Sequence, residues 1–186
     1  MPRPGVPSWY AGLLAAVAIQ RVVELAISRS HEVGRPARRA ASGSYPVMVA
    51  AHVGLLTLPL LEVRGDRGRR PRARWAVVLA AATALRVWSI ASLGRDWNVR
   101  AAVPSDLRPV VRGPYAYIRH PNYLAVILEF AAIPLIAGAR RSALLLSALN
   151  AAVLFDRIRE EERLLNASPA YRNAFAGRPR FIPGLF

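Results

Sequence analysis

The chain reads as an all-α, polytopic membrane protein of about five transmembrane helices. Three observations carry that reading. Hydrophobic residues make up 54% of the 186 residues and the mean hydropathy is +0.24, both high for a soluble domain. The apolar residues fall into five runs, at 9–28, 45–62, 74–93, 123–138 and 142–157. Most of the 26 basic residues, all Arg, lie outside these runs, against 11 acidic residues in the chain. A pI near 11.7 would also fit a nucleic-acid binder. Arginines gathered into short segments between long apolar runs are instead the pattern of membrane loops, so no nucleic-acid partner is expected.

A helix needs about 20 residues to cross ~30 Å of hydrocarbon. The first and third runs meet that length comfortably; the second contains Pro59, the fourth contains Pro134, and the fourth and fifth are short. Stretches such as 13–19 and 76–85 are apolar on every face, not striped with a period of 3.6 as in a soluble amphipathic helix. The first run could pass for a signal-peptide core behind Arg3, but four more apolar runs follow and no small-residue cleavage site stands out. Only Ala139, Arg140 and Arg141 separate the last two runs, which predicts a tight antiparallel hairpin.

Five spans put the N-terminus and the second and fourth loops on one face. The first and third loops and the C-terminal tail lie on the other. The second face carries more arginines: Arg29, Arg35, Arg38 and Arg39, then Arg95, Arg100, Arg108, Arg112 and Arg119, then the tail. The positive-inside rule makes that face cytoplasmic, against the dissent of Arg64, Arg67, Arg69, Arg70, Arg72 and Arg74 in the second loop. An Arg-only, Ala-rich chain fits a GC-rich bacterial genome, hence a bacterial plasma membrane with the N-terminus outside.

Ionisable groups are costly in hydrocarbon and are functional candidates there. Arg21 and Glu24 in the first run, His52 in the second, Arg86 in the third, Glu129 in the fourth, and Asn150 and Asp156 in the fifth all fall in the cytoplasmic half. Arg21 and Glu24 stand three apart on one helix face and can pair. Snorkelling of Arg21, Arg86 and Asp156, or simple helix packing, would explain any one of these residues. One histidine in a helix often just bonds a neighbouring backbone, which is the plainer reading of His52. Their common depth suggests a polar cavity open to the cytoplasm.

No Cys is present, so disulfide and thiol chemistry are excluded. His31, His52 and His120 lack metal-ligand spacing, and no metal is expected. There is neither a P-loop nor a G-x-G-x-x-G fingerprint. Before the fourth run stands Arg112-Gly113-Pro114-Tyr115-Ala116-Tyr117-Ile118-Arg119-His120-Pro121-Asn122-Tyr123. Gly113-Pro114 marks a turn, and Pro121 suits the first turn of a helix whose N-terminus favours an anion. Beyond the fifth run stand Arg157, Arg159, Glu160, Glu161, Glu162 and Arg163, which an antiparallel hairpin returns to the Arg119–Tyr123 end. Alone, Arg-His-Pro could be a positive-inside cluster and the three glutamates a solvated helix end. Together, at the two mouths of one hairpin, they point to a site.

Gly-Pro-Tyr-x-Tyr-x-Arg-His-Pro-x-Tyr, a hydrophobic hairpin, and then Arg157, Glu161, Glu162 and Leu165 resemble the isoprenylcysteine carboxyl methyltransferases and related membrane methyltransferases, over residues 112–165. Upstream, Arg21-Val22-Val23-Glu24 with Ser28, Tyr45-Pro46-Val47-Met48 with His52, and Leu93-Gly94 with Trp97-Asn98 look like a bacterial branch that accompanies type III polyketide synthases. The resemblance implies one domain over 1–186, with N-terminal spans in 1–100 and a cofactor loop, hairpin and C-terminal lid in 101–186. It implies S-adenosylmethionine in a cytoplasmic cofactor pocket formed by Gly113, Tyr115, Tyr117, Arg119, His120, Asn122, Tyr123, Glu161 and Glu162. The segment from Tyr171 through Phe181, Ile182 and Pro183 would close over it. Ala167-Ser168-Pro169 stands where the eukaryotic enzymes carry Phe-Gly.

The implied reaction is O-methylation of a lipid-like substrate, either a long-chain phenol or pyrone or an isoprenylcysteine-type carboxylate. A carboxylate needs only an orienting Arg, whereas a phenol or enol gains from a general base. Candidate bases are His52, Glu24 and Glu129, with Arg21 or Arg86 facing the oxyanion. Alternatives are a phospholipid N-methyltransferase, an NADPH-dependent enzyme of the sterol-reductase type, and a membrane protein without catalysis.

Overall fold

The computed structural model describes residues 5–33, 37–39, 43–100, 102–104 and 107–181. Arg3, Arg35 and the Ile182–Pro183 end of the expected lid lie outside the described residues. Six α-helices are present: α1 (Ser8–Glu32), α2 (Ser44–Val63), α3 (Ala73–Leu93), α4 (Pro121–Ile136), α5 (Arg140–Leu165) and a short α6 (Pro169–Ala174). Each of the five apolar runs is the heart of one long helix. Pro121 opens α4 and Pro169 opens α6, where a missing N–H costs nothing. Ser168 caps α6 by accepting from the Tyr171 amide.

Three helices, α1, α2 and α3, are long and apolar enough to cross a membrane. The other two expected spans differ for separate reasons. α4 is apolar but has 16 residues, about 24 Å of helix. α5 has 26 residues, but its last three turns carry the charges from Asp156 to Arg163. α4 is also the most enclosed, with Ala125, Phe130, Ala132 and Ile133 fully buried between α3 and α5. The lipid-facing positions belong to its neighbours: Ile19, Val22 and Val23 of α1 and Val77 and Val87 of α3 are exposed.

The long helices alternate in direction, which gives the bundle two distinct ends. At one end Gly5 bonds to the Arg64 carbonyl (3.0 Å), Trp9 Nε1 donates to Arg69 (2.8 Å), and Arg69 donates to the Ala137 carbonyl (2.9 Å). Glu62, at the close of α2, accepts from the amides of Arg141 and Ser142 at the start of α5, where free N–H groups want an anion. At the other end a three-residue antiparallel ladder joins β1 (Ala37–Arg39) to β2 (Ala102–Pro104), tying the loop after α1 to the loop after α3. This ladder is a small β addition to the all-α expectation.

Below that ladder the loop after α3 is pinned from two sides. Ser28 Oγ accepts from the Val99 amide (3.0 Å), His31 bonds the Trp97 carbonyl (3.0 Å), and Arg157 donates to the Val99 carbonyl (2.8 Å). Gly113 then turns the chain toward α4 at φ +59°. A Cβ there would lie 2.1 Å from Ser92 Oγ and 3.0 Å from Trp88 Nε1. Gly113→Ala is therefore expected to destabilise the protein by about 1–3 kcal/mol from backbone strain plus overpacking, and Ser92→Gly should recover only the overpacking part. Thermal unfolding in detergent checks both.

Candidate active site

α4 and α5 leave their three-residue connection antiparallel, so the start of one meets the end of the other. The Tyr123 hydroxyl donates to Glu161, and His120 Nε2 lies 3.1 Å from Glu162 Oε1. Behind these contacts opens a cavity of about 500 Å³, lined by α1, α2, α3, the 96–99 loop, α4 and α5, and covered by Tyr171 and Phe175.

The cover is held by the tail. Arg119 and His120 donate their backbone amides to the carbonyls of Pro179 and Arg180, both at 3.0 Å. Arg119 Nε donates to the Arg178 carbonyl (2.7 Å), Arg178 to the Tyr115 carbonyl (3.0 Å), and Arg180 Nη2 to Glu162 (2.6 Å). Tyr171 and Phe175 stack at 4.6 Å and pack with Tyr115. Tyr171 and Phe175 thus face the cavity, and residues 178–180 tie them to the loop before α4 and to Glu162.

The expected cofactor residues divide by helical phase and turn geometry. Tyr115, Arg119, His120, Asn122, Tyr123 and Glu161 line the cavity. Gly113 does not; it packs on Ser92 and Trp88. Tyr117 points outward and is 67% exposed. Glu162 is buried on the far side of His120, clamped between that ring and Arg180, and so fixes the wall from behind. None of these three lines the cavity. Asp156 likewise faces outward.

Deeper in the cavity, nearly two turns of α4 beyond Tyr123, the charges of the apolar helices meet. Arg86 pairs with Glu24 through Nε (2.6 Å) and Nη2 (2.5 Å). Arg21 bridges Glu24 (2.8 Å) and Glu129 (2.7 Å), and Arg86 Nη1 stands 3.5 Å from Glu129. Arg21, Glu24 and Arg86 line the cavity while Glu129 sits just behind it, 2% exposed. Two cations and two carboxylates cancel, which is what a low-dielectric interior requires. His52 lines the wall beside them and bonds the Met48 carbonyl one turn back (2.8 Å).

Several polar atoms of the wall are buried without a hydrogen-bond partner among the described residues. At the mouth they are Trp97 Nε1, Asn122 Oδ1 and Arg157 Nε; in the deep chamber they are Arg21 Nε and Arg86 Nη1. Buried polar groups are rarely left so. Arg157, Trp97 and Asn150 also line the cavity; the sequence offers Arg157 and Trp97 as motif residues and Asn150 as a polar residue of the fifth run, without assigning any of them to the cofactor pocket. Arg157 was legible from its i,i+4 spacing to Glu161, which puts both on one face of α5.

Outside the spans, burial works against the charge of Glu162, but hydrogen bonds from His120 and Arg180 and their charges outweigh it and hold its carboxyl at about 2. Burial first, then the nearby Glu161 charge, raises the Tyr115 hydroxyl. Tyr115 therefore stays neutral and acts as a wall.

The structure shows a helical bundle whose one end carries a cavity with two polar ends and a C-terminal cover. Residues 75–167 match the isoprenylcysteine carboxyl methyltransferase (ICMT) family. The uncharacterized protein YpbQ of Bacillus subtilis (strain 168) is 33% identical over 159 residues, which is 82% of this chain and 94% of that protein. The chain belongs to the isoprenylcysteine carboxyl methyltransferase family.

The Glu162 clamp generates an acid dependence. A carboxyl whose folded value, about 2, lies below its ordinary 4.5 stabilises the fold fully above that ordinary value, and loses its contribution as pH falls through the folded one. The thermal midpoint in detergent should fall between pH 5 and pH 2.5, roughly that window. Glu162→Gln should start lower at pH 6 and show a flatter profile.

Proposed function

We propose that the protein is an S-adenosylmethionine-dependent methyltransferase acting on a lipid-like acceptor. It would act at the cytoplasmic face of a bacterial plasma membrane, with all five long helices crossing the bilayer and the whole chain acting as one domain. The observation that carries this reading is the set of polar side chains that line the cavity mouth together, Trp97, Asn122, Arg157 and Glu161. Arg157 suits a carboxylate, Glu161 an amino group, and the Trp97 and Asn122 side chains the ribose and base edge of a nucleoside. A zwitterionic amino acid joined to a nucleoside is the donor set's complement, so the residues present fit S-adenosylmethionine. When bound, that cofactor supplies an activated methyl group on a sulfonium.

The chain's own residues bind, orient and exclude water. Tyr123 is held by Glu161 and His120 by Glu162, so both rings are fixed before any ligand arrives, which is what positioning requires. Tyr171 and Phe175 line the cavity from the C-terminal side. Between mouth and deep chamber the walls are aliphatic, with Leu25, Val49, Val126 and Leu154 among them; that lining favours an apolar acceptor. Family membership favours methyl transfer over the sterol-reductase alternative. The long-chain phenol or pyrone of the polyketide-associated branch, the isoprenylcysteine-type carboxylate and the ethanolamine headgroup are the acceptor classes to be separated by assay.

Calorimetry with S-adenosylhomocysteine on detergent-purified protein tests the reading. Wild type is expected to bind, and His120→Ala, Glu161→Ala and Arg157→Ala each to bind at least about tenfold more weakly, a loss of ~1.4 kcal/mol. Binding of NADPH with none of S-adenosylhomocysteine at millimolar concentration would overturn it.

A further inference from the structure

We propose that His52 is the residue that takes the proton from the acceptor, and that the acceptor therefore enters the deep chamber as a neutral, weakly acidic hydroxyl. This rests on the methyltransferase reading and names the substrate class of the same site.

Three side chains in the chamber could accept a proton, and two are already engaged. Glu24 receives N–H groups from Gln20 (2.9 Å), Arg21 and Arg86. Glu129 Oε2 receives Arg21 and stands against Arg86. Protonating either carboxylate would leave a buried guanidinium without its counter-charge, a costly state. His52 differs. Its Nδ1 faces the Met48 carbonyl, which can only accept, so Nδ1 carries the proton of the neutral ring and Nε2 keeps its lone pair. No hydrogen bond to Nε2 occurs among the described residues, and the ring lines the cavity. Phe130, edge to face at 5.0 Å, and the Met48 bond together fix the plane of the imidazole.

The chamber's charge balance selects the acceptor. Arg21 and Glu24 of α1, Arg86 of α3 and Glu129 of α4 sum to zero, and Arg21, Glu24 and Arg86 are the charged groups that act on the His52 ring. An acceptor already ionised would add a net negative charge to a buried, self-neutral cluster. A neutral hydroxyl adds none. The O–H bond breaks and an Nε2–H bond forms; the oxygen keeps the electron pair, and oxyanion and imidazolium arise together as a neutral pair. The Arg21 and Arg86 guanidiniums line the same cavity, and their charge favours that oxygen. Its pair is then available for the new O–C bond, which would form as the methyl's bond to the donor sulfur breaks and that sulfur keeps the electron pair as a neutral thioether; the imidazolium returns its proton to water after the product leaves.

The test uses full-length protein with saturating S-adenosylhomocysteine and, as probe, a 4-nitrophenol bearing a long alkyl chain, in buffer acidic enough that the free probe is neutral. Wild type is expected to bind the probe and to turn on its phenolate absorption. His52→Gln and His52→Asn should bind S-adenosylhomocysteine as wild type does, yet leave the bound probe neutral. With the parent alkylphenol and S-adenosylmethionine, kcat should fall by about 100-fold or more in both variants, with KM changed far less. Imidazole added to His52→Ala should restore part of the phenolate signal. Equal ionisation in wild type and variants, failure of the wild-type complex to bind the probe, or methylation of a long-chain carboxylate that the variants leave unaltered would each overturn the assignment. Absence of S-adenosylhomocysteine binding to wild type would instead strike the methyltransferase reading itself.

Discussion

The antiparallel pairing of α4 and α5 is the constraint on which the rest of the structure depends. α4 ends at Ile136 and α5 begins at Arg140, too short a connection for any other geometry. The turn is secured from outside. Gly138 adopts φ +77°, with Arg72 packed where a Cβ would stand, Arg69 caps the Ala137 carbonyl, and Glu62 caps the start of α5. About 20 Å away along α4 and about 30 Å along α5, Tyr123 meets Glu161 and His120 meets Glu162. A charge clamp at one end of the bundle and a tight turn at the other fix a single register.

Polar groups are then sorted by depth. The mouth carries Tyr123, Arg157, Glu161, Trp97 and Asn122, with several capacities unspent. The deep chamber carries an ion quartet that spends nearly all of its own capacity on itself and joins α1, α3 and α4. Such a buried network does little for net stability compared with apolar packing, but breaking it is costly, so it holds three helices in one relative position. A cavity with a charged, demanding entrance and a neutral, self-satisfied interior suits a ligand whose polar part stays at the mouth while an apolar partner reaches inward. The tail completes this division, since Arg178 and Arg180 fasten it to the same loop and glutamate that shape the mouth.

Much of this was legible in the sequence because it depends on period and spacing alone. The five apolar runs mark five helices, the short gap at Ala139–Arg141 marks the hairpin, and the common depth of Arg21, Glu24, Arg86 and Glu129 marks a shared chamber. The failures are of direction. Glu161 and Glu162 are neighbours in sequence but about 100° apart around the helix, so only one faces the cavity. Tyr115 and Tyr117 part company because a 3-10 turn at Gly113–Ala116 ends between them. Trp97 gains a place in the site only from its position in the cavity wall, a property of packing that no local pattern carries. The short β1–β2 ladder joins segments separated by two helices and has no signature in either strand.

The account turns on whether the mouth of this hairpin is the methyl-donor site. An experimental structure of the protein in lipid nanodiscs with saturating S-adenosylhomocysteine tests that most directly. Ligand density between Trp97, Asn122, Tyr123, Arg157 and Glu161, beneath Tyr171 and Phe175, is the expected result. Density elsewhere on the chain, or an unfilled mouth with the α4–α5 pairing intact, would contradict it.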